Sequence, residues 1–365
     1  MDSAQLLGLV DALRGRAVAV IGDVVADEFV YGRVARVSRE APVLILEYDS
    51  TDVVPGGGGN AANNVAALGG RAPLVSIIGR DDPGRRLIGA LHRRVDPRGV
   101  VRVVGRETIV KTRILAGGIH SAKQQVVRID RGVGQPIDKK TRTAFERAAQ
   151  RAITTADAVL VSDYGSGLVT PALVTMLQSE LRHGGRPIPI LVDTRYQLLE
   201  YRGLTASTPN ESEVEQALGI KINDNAAVLE RAGREILSRT GMQAVLVTRG
   251  SRGMALFVRN AQTLHIPIFG SDEIADVTGA GDTVMATMAL ALAAGATFEQ
   301  AARLANYAGG LVVMKRGTAT VSADELRAAV LRPERRATPA VRARGTRTGP
   351  ASAAKLVVIK SDRRG

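Results

Sequence analysis

Four apolar runs, at Ala17–Ile21, Ala158–Val161, Ile188–Val192 and Ala244–Thr248, constrain the fold of this chain more than any other feature. A strand that alternates apolar and polar residues can face water on one side, whereas a strand apolar throughout must be covered on both. Between the runs lie segments with a helical apolar period, at Lys139–Ala152, Pro171–Arg182, Glu211–Leu218 and Ala226–Thr240. Strands alternating with helices predict right-handed crossovers and an α/β fold, a doubly wound and mainly parallel sheet flanked by helices.

Two segments break the alternation. Residues 29–49 and 100–131 are rich in Val and Ile with charges interspersed and have no helical period. They read as half-exposed antiparallel strands of a small β lid. Long apolar strand edges invite pairing, so a homodimer clasped through the lids is expected. Residues 1–330 then form one domain with its lid, and 331–365, rich in Arg, Ala, Thr, Pro and Gly, a basic tail expected to be disordered.

Net charge is +13, and the tail alone holds ten Lys/Arg against two Asp/Glu. That asymmetry admits a nucleic-acid or anionic-surface role through Arg342, Arg344 and Arg347. Against it, the tail has no aromatic residue on which a base could stack. The chain has no cysteine, which excludes disulfides and thiolate metal sites and requires no oxidising compartment. Its N-terminus carries Asp2 and Asp11 in place of the basic start of a signal peptide. The uncharged apolar stretch Thr283–Phe298 falls short of the roughly 20 residues a membrane span needs and reads as a buried helix. A cytoplasmic protein without membrane association is expected.

Asp276-Val-Thr-Gly-Ala-Gly-Asp282 is the most specific segment, and the uncharged helix follows it at once. Gly279 and Gly281 permit a turn whose N–H groups converge, and the helix adds the positive end of its dipole, which makes a cradle for anionic charge. Asp282 would stand at that helix start, placed to accept a proton from a hydroxyl attacking a phosphate. An aspartate capping a helix after a glycine turn would look the same. In Pro55-Gly-Gly-Gly-Gly-Asn60, bare backbone admits a ligand and Asn60 offers donor and acceptor groups to hydroxyls, although a glycine run also serves as a plain flexible loop. Asp23 and Asp27 follow the first strand, at the sheet edge where such folds bind ligands; a lone aspartate there is also a common turn residue.

The spacing from Gly56 through Asn60 to Gly69 and Gly79, together with Asp276–Asp282, resembles the two signature patterns of ribokinase-like (PfkB-group) sugar kinases, and the likeness runs over residues 15–330. The resemblance implies Asp282 as catalytic base and the Gly279, Ala280 and Gly281 backbone as anion hole. It implies Asp27, Gly57, Gly58 and Asn60 as sugar-binding positions. Asn210-Glu-Ser-Glu213 resembles the nucleotide-side motif, which implies ATP with Mg²⁺ organised by Glu213 largely through water. Asn210, Thr248, Gly250 and Asn306 match positions lining the nucleotide pocket. Asp276 and Thr278 resemble a site for a monovalent cation, K⁺, in some members.

Further segments, Gly22–Gly32, Arg36–Val43, Lys111–Arg113, Gln124–Asp130, Ser162–Gly167 and Leu304–Thr320, resemble the members that phosphorylate D-glycero-D-manno-heptose 7-phosphate at its anomeric carbon. Two positions depart from them: Ser166 replaces a usual lysine, and Ala116–Ala122 looks like extra lid sequence. A fused nucleotidyltransferase with an H-x-G-H motif often accompanies such kinases; the motif is absent here and only Lys355–Ile359 suggests its opening strand. The expected reaction is ATP-dependent phosphorylation of a sugar phosphate. Lys111, Arg113 and Arg128 are the candidates to grip its phosphate, since arginine engages phosphate bidentately. Charges alternating along a lid strand also serve as a solvated face. Another sugar or a nucleoside remains the alternative acceptor.

Overall fold

The computed structural model describes residues 3–117, 123–270, 276–315 and 317–332. Most of the basic tail, including Arg342, Arg344, Arg347 and Lys355–Ile359, and the lid residues 118–122 lie outside the described residues. Helix α1 (Ser3–Ala12) leads into β1 (Val18–Gly22), then β2 (Val24–Val37) and β3 (Leu44–Gly57) form a long hairpin. There follow α2 (Gly58–Ala67), β4 (Ala72–Gly79), α3 (Asp82–Gly89), β5 (Val95–Val103), β6 (Val110–Gly117), β7 (Gln124–Arg131), α4 (Lys139–Ile153) and β8 (Ala158–Asp163). Next are α5 (Pro171–His183), β9 (Ile190–Thr194), β10 (Ala206–Ser207), α6 (Glu211–Leu218), α7 (Ala226–Thr240), β11 (Ala244–Thr248), β12 (Met254–Val258) and β13 (Leu264–Ile266). Helices α8 (Ala280–Ala293), α9 (Phe298–Val312) and α10 (Ala323–Leu331) end the described chain.

The main sheet has nine strands in the order β13-β12-β11-β10-β9-β8-β1-β4-β5. Pairing is parallel from β5 across to β11 and antiparallel for β12 and β13. The apolar runs divide by the two-residue period of a strand. Val18, Val20, Leu160 and Leu246 pack on the face covered by α2 and α8–α10, while Ile21, Val159, Val161, Val245 and Val247 pack on the face with Phe145, Leu177 and Ile236 from α4, α5 and α7. Two covered faces explain why these strands carry no polar alternation. Every residue of α8 from Asp282 to Ala291 is buried, in keeping with its lack of charge after Asp282. Among the described residues no helix is long and apolar enough to cross a membrane.

A four-stranded sheet, β3-β2-β6-β7, stands apart from the main one and forms the lid. It departs from expectation in two ways. Residues 100–103 belong to β5 and pair parallel with β4, so the second lid segment starts at Val110. The pairing of β2 with β6 is parallel, because both strands leave the same end of the main sheet and run outward together. At the other boundary, α10 runs to Leu331, with Leu326, Ala329 and Val330 buried, so the folded body extends past residue 330.

Candidate active site

The carboxyl ends of β1, β8 and β9 meet the start of α8 beneath the base of the lid, and the candidate residues gather there. Gly279 caps α8 with φ +76°, and a Cβ on it would stand 2.4 Å from Asn60 Nδ2, so the close approach requires glycine. The N–H groups of Gly279, Gly281 and Asp282 have no acceptor among the described residues, whereas the Ala280 N–H donates to Val277 O (3.2 Å). Of the expected anion hole, Gly279 and Gly281 keep open donors, Ala280 turns its own into the loop, and the Asp282 N–H joins them. A Cβ at Gly281 would meet nothing within 4 Å.

Asp282 is buried with both carboxylate oxygens engaged. Asn60 Nδ2 donates to Oδ2 (2.9 Å) and Tyr164 Oη donates to Oδ1 (2.9 Å). Burial pushes this carboxyl up to about 6, against the two hydrogen bonds that favour its charged form; the Asp27 charge adds to the rise and Arg195 opposes it. The Tyr164 phenol is held protonated, its pKa raised by desolvation and by the nearby charges of Asp282 and Asp193. It therefore serves as a donor at neutral pH.

Where the sugar is expected, Gly57 (φ +56°) ends β3 with its would-be Cβ 2.7 Å from Asp23 O, and the Gly58 N–H donates to that same oxygen (2.8 Å). The glycine run thus ends a strand and packs backbone on backbone, and it delivers Asn60 to Asp282. Asp27 is buried on β2 and ion-paired with Arg113, itself only 13% exposed. Thr318 Oγ1 donates to the second Asp27 oxygen (3.5 Å). Arg128 forms a two-pronged pair with Asp130 on exposed β7. Two of the three cations proposed for a phosphate are therefore already neutralised. Lys111 differs: it has no ion pair among the described residues and lies 5.3 Å from the centroid of the Tyr164 ring. Burial lowers its pKa, and the Arg195 charge lowers it further. Ser166, the position of the usual lysine, donates to the buried Asp23 through its hydroxyl.

Where the nucleotide is expected, Asn210 and Glu213 form a reciprocal cap at the start of α6: Asn210 Oδ1 accepts from Glu213 N–H and Glu213 Oε2 from Asn210 N–H, each at 2.9 Å. Asn210 also bridges to Thr248, and Gly250 turns the chain at φ +57° just beyond. Asn306 is buried, and its amide donates to Pro267 O (2.9 Å), which ties α9 to the strand-end loop. Asp276 accepts from the N–H groups of Thr278 (2.8 Å) and Gly317 (3.0 Å), knitting the loop before α8.

Asp193, at the end of β9, has no hydrogen-bond partner for its carboxylate among the described residues. Burial raises its pKa well above the usual value, and the charges of Glu213 and Asp282 raise it further; burial raises Glu213 as well. Two desolvated carboxylates that repel one another suit a hard divalent cation. Mg²⁺ commonly takes one or two carboxylates and completes its shell with water and phosphate oxygens. Among the described residues no cluster of three or more acidic or His side chains forms a complete protein cage.

Sequence reasoning missed Tyr164, Asp193, Arg195 and Thr318 as individual residues. Asp193 and Arg195 carried a readable signal, since they are the first charged residues after an apolar strand, at its ligand-facing end. Tyr164 carried none beyond its segment, because its importance depends on meeting Asp282 across 118 residues.

Residues 16–325 match the pfkB family of carbohydrate kinases. The chain belongs to this family. The bifunctional protein HldE of Trichlorobacter lovleyi is 42% identical over 313 residues, covering 85% of this chain and 62% of that protein. The bifunctional protein HldE of Caulobacter vibrioides is 42% identical over 331 residues, covering 90% of this chain and 66% of its own. The chain thus spans less than two thirds of the length of these curated relatives. Among solved structures, the ribokinase of Arabidopsis thaliana complexed with ribose and ATP aligns with a TM-score of 0.67 at 19% identity, covering 88% of this chain and all of that one. Escherichia coli phosphofructokinase-2 in complex with fructose-6-phosphate gives 0.65 at 18% identity, with 87% and 98% covered. These structures establish the ribokinase-like fold of this family member.

Proposed function

We propose that this chain transfers the γ-phosphate of ATP to D-glycero-D-manno-heptose 7-phosphate, giving the 1,7-bisphosphate. One observation carries the kinase reading: a buried carboxyl with its pKa raised to about 6 stands beside three N–H donors at the start of α8 that have no acceptor among the described residues. A general base works best with a pKa near the operating pH, and the donors match charge that develops on a phosphoryl group. In the step, the sugar hydroxyl oxygen bonds to the γ-phosphorus as its proton passes to Asp282. The bond from phosphorus to the β–γ bridging oxygen breaks, and ADP departs with that electron pair. Asn60 holds Asp282 and, with Asp27, faces the sugar hydroxyls. The backbone donors of Gly279, Gly281 and Asp282 face the transferring oxygens. Mg²⁺ bound with ATP would lie against Glu213 and Asp193 and neutralise phosphate charge there.

Heptose 7-phosphate is supported by the segments that resemble heptose kinases, by 42% identity to proteins named HldE, and by Lys111, a half-buried cation without an ion pair among the described residues. A second reading, an unphosphorylated sugar or a nucleoside as acceptor, is favoured by the engagement of Arg113 with Asp27. The Asp276 loop is the proposed seat of K⁺. The lid is the proposed dimer surface, since every residue of its edge strand β7 is exposed, Val126, Val127 and Ile129 included. ADP release measured with heptose 7-phosphate, sedoheptulose 7-phosphate, fructose 6-phosphate, ribose and adenosine tests the assignment. Highest kcat/KM on the heptose phosphate is expected; preference for ribose or adenosine would promote the second reading.

A further inference from the structure

Asp163 is buried at the end of β8 and joins two turns. Its Oδ2 accepts from Thr194 Oγ1 (2.8 Å) and Tyr201 Oη (2.9 Å), its Oδ1 from Gly165 N–H (3.0 Å), and its backbone oxygen from Arg195 N–H (3.2 Å). Gly165 packs so closely on the ring of Tyr196 that a Cβ would stand 2.7 Å from it. This fastening holds the Arg195 guanidinium 4.5 Å from the centroid of the Tyr164 ring, and the hydroxyl of that ring reaches Asp282. A single tyrosine ring therefore separates a guanidinium from the proposed base.

Arg195 has no carboxylate within ion-pair distance among the described residues, unlike Arg113 and Arg128. Lys111 lies against the same ring, also without an ion pair, so two cations repel each other across one site. An anion between or beside them would relieve that repulsion. Their surroundings differ. Arg195 feels the charges of Glu213, Asp193 and Asp282, on the nucleotide side, whereas Lys111 feels Asp27 and Asp130, on the sugar side.

We propose that Arg195 is a further catalytic residue, its guanidinium contacting the phosphoryl group in flight between ATP and the sugar hydroxyl. This inference rests on the phosphoryl-transfer reading above. A phosphoryl group in transit spreads negative charge over three oxygens, and the planar fork of arginine spans two of them. The N–H groups at the start of α8 that have no acceptor among the described residues offer donors to the same charge. The Tyr164 ring lies against the guanidinium and restricts it, so less freedom is lost when the contact forms. Lys111, which lies against the same ring and nearer Asp27, is left for the phosphate the sugar already carries.

The test is steady-state kinetics of Arg195→Ala and Arg195→Lys in the full chain, with and without added guanidinium at non-denaturing concentration. For Arg195→Ala, kcat is expected to fall about 10²- to 10³-fold. KM for ATP and for the sugar phosphate should change little, and guanidinium should restore part of kcat. Arg195→Lys, which keeps charge and stem but lacks the fork, should lose about tenfold in kcat at unchanged KM, and it decides the matter should the alanine variant not fold. A kcat within about threefold of wild type in either variant overturns the proposal. So does a loss confined to the KM of the sugar phosphate, which would make Arg195 a substrate clamp, and so does a folded alanine variant that guanidinium does not rescue. An unaltered chain that phosphorylates no sugar in the panel would instead overturn the functional reading itself.

Discussion

Asp282 combines a requirement with a cost. Its carboxyl must be ionised to take a proton, yet its burial disfavours the ionised form and places its pKa at about 6. The kcat profile should therefore fall below about pH 6 as the base is protonated. Tyr164→Phe removes a hydrogen bond that favours the charge, so the acid limb should move to higher pH; an unmoved limb would separate Tyr164 from the base. Asp282→Asn should reduce kcat by at least about 10²-fold while ATP still binds. The stability sign follows from the same shift: a folded-state pKa raised above the ordinary 3.8 gives stability that is present below the ordinary value and lost as pH rises through about 6. Asp282→Asn, with the Tyr164 hydroxyl free to rotate and accept, should consequently raise the melting temperature at pH 8. The role proposed for Asp282 rests on a pattern readable in the sequence, Gly-x-Gly-Asp followed by an apolar helix. Its two partners were not equally readable, for Asn60 had a motif of its own and Tyr164 did not.

At the scale of elements, β9 and the lid show where pattern reading stops. The apolar run at Ile188–Val192 marked the strand, but the significance of Asp193 and Arg195 depends on which strands flank β9, and a parallel sheet order is not written in any one strand. The lid strands were legible as half-exposed, yet the parallel pairing of β2 with β6 depends on both leaving one end of the main sheet. The same pairing brings Arg113 onto Asp27 and separates the fates of two lid cations. Lys111→Ala should raise KM for a phosphorylated sugar about ten- to a hundredfold, because a charge-assisted hydrogen bond contributes about 1.5 to 3 kcal/mol, and should leave the dephosphorylated sugar and ATP unaffected. Arg113→Ala should impair phosphorylated and dephosphorylated sugars equally, since it strands a buried Asp27, a change that costs about 3 to 5 kcal/mol. Equal losses from Lys111→Ala on both sugars would assign it to lid shape alone. The exposed face of β7 makes its own prediction: Val127→Glu with Ile129→Glu should convert a dimer to a monomer in analytical ultracentrifugation, and a wild-type monomer would refute the lid clasp.

At the scale of the whole molecule, the alternation of apolar runs and helical periods was sufficient for the two-faced sheet, because burial on both faces leaves a pattern that no other arrangement produces over so many strands. Boundaries were less legible. Basic composition placed the start of the tail at Leu331, and that residue is the last of α10, whose Leu326, Ala329 and Val330 are buried against the core. Truncation after Arg332 should leave melting temperature and kcat unchanged, whereas truncation before Ala323 should destabilise the body by removing that buried face. The central claim is phosphoryl transfer from ATP to the anomeric hydroxyl of a sugar that already carries a phosphate. Phosphorus NMR of the product formed from ATP and D-glycero-D-manno-heptose 7-phosphate tests it most directly. The account predicts one sugar bearing two phosphates, the new one coupled to the anomeric proton. A heptose phosphate returned unchanged, or a new phosphate on any other carbon, would contradict it.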